Sequence, residues 1–121
     1  MSESGRGAEL RERVFEFAVA VIDLHRFVYK QEPSLRSTSA QAAAAAGSVG
    51  ANLEEADAAQ SRADFISKCN ISLKEARESR YWLRILSRFI KSERIGALIA
   101  EATELIAILT TIVRKSRESK Q

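Results

Sequence analysis

Apolar residues recur along this chain at alternating steps of four and three over four stretches, and never at the step of two that a half-buried strand requires. The first stretch covers residues 8–31, where Leu10, Val14, Phe17, Val21, Leu24 and Val28 step 4-3-4-3-4. That is the seam of a helix packed against other helices. Phe15, Ala18, Ile22 and Tyr29 make a second stripe beside it. Pro33, the only proline, ends this helix, because the residue before a proline disfavours the α region. A second helix is predicted over 37–59. Its stretch from Ala42 to Ala51 holds nothing larger than Val49, and Gly47 and Gly50 each weaken a helix by about 1 kcal/mol relative to Ala. Small residues kept at that cost point to close approach of a neighbouring backbone. A low-complexity linker is the alternative, but Leu53 and Ala56 continue the helical pattern.

Ser61-Arg62-Ala63-Asp64 reads as a capping box opening a third helix over 62–91. Ser92 caps a fourth over 93–117, in which Ile95, Ile99, Ala102, Ile106, Leu109 and Val113 form one seam and Leu98, Leu105 and Ile112 another. Residues 116–121 read as a frayed basic tail. Four long helices joined by short connections predict an all-α fold, an antiparallel up-down-up-down four-helix bundle, in a single domain over 1–121.

The third helix carries two incompatible faces. Lys74, Arg77, Arg80, Arg84, Arg88 and Lys91 fall within an arc of about 120° on a helical projection. On the other side Phe65, Cys69, Ser72, Ala76, Ser79, Leu83, Leu86 and Ile90 make a 4-3-4-3 core seam, with Ile71, Trp82, Ile85 and Phe89 next to it and Glu75 and Glu78 among them. Several helices thus hold more apolar surface than one inward stripe needs. Phe15, Trp82, Phe89 and Leu105 are the candidates for burial between subunits, and a homo-oligomer is expected.

Charge sharpens this picture more by position than by sum. The net formal charge is +3 and the isoelectric point about 9.3. Residues 62–94 hold nine Lys/Arg against four Asp/Glu, and the end from Arg114 four against one. Such polarity suits nucleic acid, phosphate or an acidic protein. Cys69 is the only cysteine, which excludes an intrachain disulfide and a thiolate metal cluster. The N-terminal stretch is polar, and no uncharged apolar run reaches the roughly 18 residues of a membrane span. A cytoplasmic protein with no membrane role is expected.

Signals for catalysis are weak. Asn52 and Glu55, like Glu75 and Glu78, are three apart and therefore neighbours on a helix. Inward carboxylates in a four-helix bundle suggest a di-iron site, which needs a Glu-x-x-His on each of two helices. This chain has one histidine, His25, without the required Glu. The expected role of Asn52, Glu55, Glu75 and Glu78 is a buried polar network, paired with backbone or with an Arg across an interface. A small-ligand or cation site there is the alternative. His25 reads as a hydrogen-bonded residue at the core edge. Gly47-Ser48-Val49-Gly50 lies within a helix and not after a strand, unlike a dinucleotide fingerprint. No enzyme activity, metal or cofactor is expected.

Residues 48–56 (Ser-Val-Gly-Ala-Asn-Leu-Glu-Glu-Ala), 61–68 (Ser-Arg-Ala-Asp-Phe-Ile-Ser-Lys) and 73–83 (Leu-Lys-Glu-Ala-Arg-Glu-Ser-Arg-Tyr-Trp-Leu) resemble the bacterial four-helix bundle proteins encoded in intervening sequences of 23S ribosomal RNA genes. The matching positions are Asn52, Glu55, Ser61, Phe65, Glu75, Glu78 and Trp82. The resemblance implies a bundle that assembles as a ring-like homopentamer. A related branch comprises the accessory proteins of diversity-generating retroelements, which implies RNA or DNA and a reverse transcriptase as partners. The chain departs from the pattern at Ser39-Ala40-Gln41-Ala42-Ala43, where arginines are common, and at Ala56-Asp57, where a glycine often follows.

Two functions therefore stand side by side. One is an oligomeric nucleic-acid-binding or ribonucleoprotein accessory module acting through Lys74, Arg77, Arg80, Arg84, Arg88 and Lys91, with Tyr81 beside them to stack on a base or to pack against a neighbour. The other is a homo-oligomeric scaffold for another protein, its basic face merely solvated.

Overall fold

A computed structural model shows four α-helices, α1 (Glu3–Gln31), α2 (Arg36–Asp57), α3 (Arg62–Phe89) and α4 (Glu93–Glu118), with one 3-10 turn at Pro33–Leu35. It describes the backbone of residues 3–119 and the side chains of residues 5–119. α1 packs on α2, α2 on α3 and α3 on α4, and α4 returns to α1 along a thinner contact. α1 and α3 therefore lie on one diagonal, α2 and α4 on the other, in the predicted up-down-up-down order.

The seams read from the sequence form the core. Val14, Phe17, Val21, Leu24 and Val28 of α1 are buried against Cys69, Ala76, Leu83 and Leu86 of α3 and Ile95, Leu98, Leu105 and Leu109 of α4. By length and composition alone α4 is long and apolar enough to cross a bilayer; Ile95, Leu98, Ala102, Leu105, Ile106, Leu109 and Val113 are its buried side chains.

Local chemistry sets the helix ends. The Ser61 hydroxyl accepts the Asp64 amide at 3.0 Å and Asp64 Oδ2 accepts the Gln60 amide at 3.3 Å, so the capping box closes one residue early. Ser92 Oγ accepts the Arg94 amide at 3.1 Å and starts α4. Five boundaries differ from the sequence reading: α1 starts at Glu3 instead of 8 and α2 at Arg36 instead of 37, and three helix ends move. α2 stops at Asp57 instead of 59. α3 stops at Phe89 because Ile90 turns extended (φ −123°, ψ 118°) and packs on the core, which leaves Lys91 in the α3–α4 connection. α4 continues to Glu118, so the start of the predicted tail is helical, while residues 120–121 of that tail lie outside the described residues.

The small residues of α2 find their use against α3. Ser72 Oγ donates to the Val49 carbonyl at 2.8 Å and Ser79 Oγ to the Ala42 carbonyl at 3.5 Å, all inside the bundle. A serine side chain reaches the backbone of a neighbouring helix only where both surfaces are small. The expected close approach is thus real, though made by Ala and Ser. A Cβ at Gly50 would meet Val14 Cγ1 at an ordinary 3.4 Å, and one at Gly47 would meet nothing within 4 Å.

The α1–α4 edge is closed differently. Arg13 Nε and Nη2 donate to the two oxygens of Glu101 at 2.6 and 2.8 Å, and Nη2 also to Glu104 at 2.6 Å. This fork holds the Glu101 carboxyl below the usual range, mainly through the hydrogen bonds from Arg13. Arg94 adds an ion pair with Asp23 at 3.1 Å and lies over the Phe27 ring. His25 Nδ1 meets Ser39 Oγ at 2.5 Å, at the edge of the α1–α2 contact.

Candidate nucleic-acid interface

Packing of α3 between α2 and α4 decides which of its side chains face out. The Ser72–Val49 and Ser79–Ala42 bonds mark its α2 side, and the bond from Arg80 Nη1 to Thr103 Oγ1 at 3.2 Å marks its α4 side. Lys74, Arg77, Arg84 and Arg88 are exposed on the outward face adjoining α4, with Arg80 half-buried at its border. Lys91 extends the row from the connection. Among the described residues none of these six cations makes an ion pair. Arg11, Arg13, Lys68, Arg94 and Arg114 all do. Glu101 and Glu104 are committed to Arg13, and Glu78 accepts the Trp82 indole N–H at 3.2 Å.

The surface of α4 beside this row is small and uncharged: Gly96, Ala100, Thr103, Ala107 and Thr110 step 4-3-4-3 and give way to Arg114 and Arg117. Tyr81 stands within the row, 54% exposed, with its ring edge-on to Trp82 at 5.2 Å and 74°.

Turned toward α2 is the other outward face. Ile71, Glu75, Glu78, Trp82, Ile85 and Phe89 step 4-3-4-3-4 as a second seam. Phe89 is 68% exposed and Ile71 is exposed, while Trp82 and Ile85 pack partly on their neighbours. Burial first, and repulsion from Glu78 second, push the half-buried Glu75 carboxyl above its ordinary value, with Lys74 opposing. Across α2, whose outward Ala40, Ala44, Gly47 and Ala51 form a smooth floor that ends at Glu54, α1 raises a matching ridge of Phe15, Val19, Ile22 and Tyr29.

Two expectations need correction. Leu105 is no interface residue, because it is completely buried in the core of its own bundle. Asn52, Glu55, Glu75 and Glu78 form no buried network within the chain. Asn52 Nδ2 donates to the Ser48 carbonyl one turn back at 2.9 Å, exposed Glu55 pairs with Lys68 at 3.1 Å, and exposed Glu78 meets Trp82. Three-residue spacing put each pair on one face, but those faces look outward.

The sequence reading missed the Arg13 fork. Two carboxylates breaking the most apolar helix were its only trace. Among the described residues no three His, Cys, Asp or Glu side chains gather as a metal site, and burial pushes the Cys69 thiol up to about 11. The surface carries a shallow dent beside Phe15 lined by Arg11, Glu12 and Glu54 and another at the α3–α4 turn around Lys91.

The model of the 23S rRNA-intervening sequence protein family matches residues 7–111. The chain belongs to this family. A solved structure of a protein with unknown function from the S23 ribosomal protein family of Bacteroides thetaiotaomicron is 40% identical, covers 86% of this chain and 97% of its own, and superposes with a TM-score of 0.79. Among curated proteins no significant match exists.

Proposed function

We propose that this family member is a non-enzymatic, cytoplasmic accessory module that binds nucleic acid through the basic face of α3 and works as a homo-oligomer. The observation that carries the reading is the row Lys74, Arg77, Arg80, Arg84, Arg88 and Lys91, six cations without an ion pair among the described residues. Cations left uncompensated on one rigid helix attract phosphates, positioning a nucleic acid without reading its sequence. A ribonucleoprotein built around a reverse transcriptase is the partner suggested by the resemblance to retroelement accessory proteins.

Assembly follows from the faces that flank α2. The α1 ridge carries Arg26 between Ile22 and Tyr29, and the α3 ridge carries Glu75 and Glu78 between Ile71 and Trp82. Both ridges are apolar, and Arg26 of one is opposite in charge to Glu75 and Glu78 of the other, with Glu12 beside Phe15 at the far end of the α1 ridge. Contacts between unlike faces propagate head to tail and close into rings, in keeping with the pentamer suggested by the resemblance. A ring repeats the basic row around its outside.

Fluorescence anisotropy of labelled RNA and single-stranded DNA over a salt series tests the reading. Binding to the native protein is expected to fall steeply from 50 to 200 mM salt, and an Arg77→Glu/Arg84→Glu/Arg88→Glu variant of unchanged mass and helicity should lose most of it. No binding at low salt, or equal binding by the variant, removes the proposal. The second reading, a scaffold for another protein, is favoured by the exposed apolar surface of Phe15, Ile71 and Phe89, and its partner would hold on with little regard to salt.

A further inference from the structure

Tyr81 stands four residues after Arg77 and three before Arg84, with Lys74 and Arg88 seven residues to either side. All five side chains share one helical face. Tyr81 is 54% exposed, and its ring is braced edge-on by Trp82, whose own N–H is tied to Glu78. Its hydroxyl makes no hydrogen bond among the described residues. Packed edge-on against Trp82, the ring lies at the border between the apolar seam and the row of cations.

Resting on the reading of the basic row as a nucleic-acid site, we infer that the row takes an unpaired single strand, with Tyr81 stacking on one of its bases. Reading of a duplex through its groove is disfavoured by the packing of α3. A helix that reads a duplex enters a major groove about 12 Å wide, but α3 is flanked along its length by α2 and α4 and offers one face only. It can lie against a backbone and cannot reach the stacked bases. A splayed strand brings both its phosphates and the π-face of a base to a flat surface, and such stacking tolerates any sequence. From Lys74 to Arg88 the cations run about 21 Å along the axis, a track for several nucleotides on either side of the ring. The small residues Ala100, Thr103 and Ala107 on α4 leave that side of the track unobstructed.

The experiment uses three labelled probes of about 12 nucleotides, within the range of single-strand sites. They are an unstructured strand, the same strand with abasic sites throughout, and its duplex. The native protein and Tyr81→Phe should bind the intact strand about tenfold tighter than either other probe. Tyr81→Ala should bring the intact strand down to the abasic level with the salt slope unchanged. Folding of the variants is checked by circular dichroism, and the exposure of the ring makes its removal benign. Duplex bound as tightly as strand, or Tyr81→Ala indistinguishable from native, overturns the inference and leaves a phosphate-only surface with the proposed function intact. Absence of binding to all three probes at low salt overturns both.

Discussion

On the α4 side of α3, cations stand at Arg77, Arg84 and Arg88 among other polar groups; on the α2 side, Glu75 and Glu78 stand between Ile71 and Trp82, and among the described residues none of the five is in an ion pair. The surroundings give these two sets of unmatched charges different meanings. Charges on a polar, open face keep their water until a mobile counterion or a phosphate displaces it, and they act at long range. Charges set in an apolar ridge are costly to cover unless the covering surface brings the opposite charge or the carboxylate takes up a proton. One face is suited to a polyanion that comes and goes, the other to a fixed partner of matched shape and charge.

The largest effect that would break this contrast is loss of assembly. Phe15→Glu combined with Phe89→Glu places charges on both ridges, at positions 59% and 68% exposed. In sedimentation the double variant should run as a single chain of 13.4 kDa with native helicity. Its single-strand binding should remain salt-dependent, weakened only by the lost multivalency of a ring. A native mass for the variant would show that the ridges are not the interface.

Next in size is the contrast between Leu105 and Phe89. Both were expected at a subunit contact, yet only Phe89 points out. Leu105→Ala should cost about 2–5 kcal/mol in denaturant unfolding by leaving a cavity in the core. Phe89→Ala, at the end of α3, should cost no more than about 0.5 kcal/mol in a chain kept monomeric by Phe15→Glu alone. Similar costs for the two would mean that the end of α3 packs as tightly as the core.

Leu105 also shows what periodicity resolves and what it leaves open. Leu98, Leu105 and Ile112 recur every seven residues and read as a stripe apart from the Ile95–Val113 seam. In α4 the two stripes are neighbours, and both turn inward because α4 closes on α1 as well as on α3. Periodicity gave the helices, their order and the inward seam of α3 almost residue by residue, since a 4-3 step allows one burial face per neighbour. It also gave the basic arc, because angular position on a helix follows from residue number. The direction in which an acidic pair faces depends on where the adjoining helices lie, so Glu55 and Glu78 looked inward and are not. The Arg13 fork spans 88 positions from Arg13 to Glu101, a pairing that no local pattern encodes. Lys91 left α3 because Ile90 is drawn to the core, a tertiary pull on a residue whose helical spacing is otherwise regular.

The smallest effects separate two carboxylates by the sign of their pH dependence. Glu101 is held below its ordinary value by Arg13. Its contribution is therefore present above the usual carboxylate range and is lost as pH falls through the lowered value. Glu101→Gln should cost about 1 kcal/mol at pH 7 after allowance for partial exposure, and the gap from native should close on acidification. Glu75 is raised, first by burial and then by Glu78. Here the charged form is the disfavoured one, so its penalty is present at neutral pH and is relieved as pH falls through the raised value. Glu75→Gln should stabilise the chain at pH 7 by roughly a few tenths of a kcal/mol, with that gain also disappearing in acid. If a neighbouring copy covers the α3 ridge, desolvation of Glu75 deepens, and native assembly should strengthen on mild acidification while the Gln variant assembles independently of pH. Urea titrations at pH 7 and near pH 3, with sedimentation at pH 7 and near pH 5, read both signs. Identical pH profiles for the native chain and the Glu75→Gln variant would place Glu75 in water and return the α2-side ridge to an ordinary solvated face.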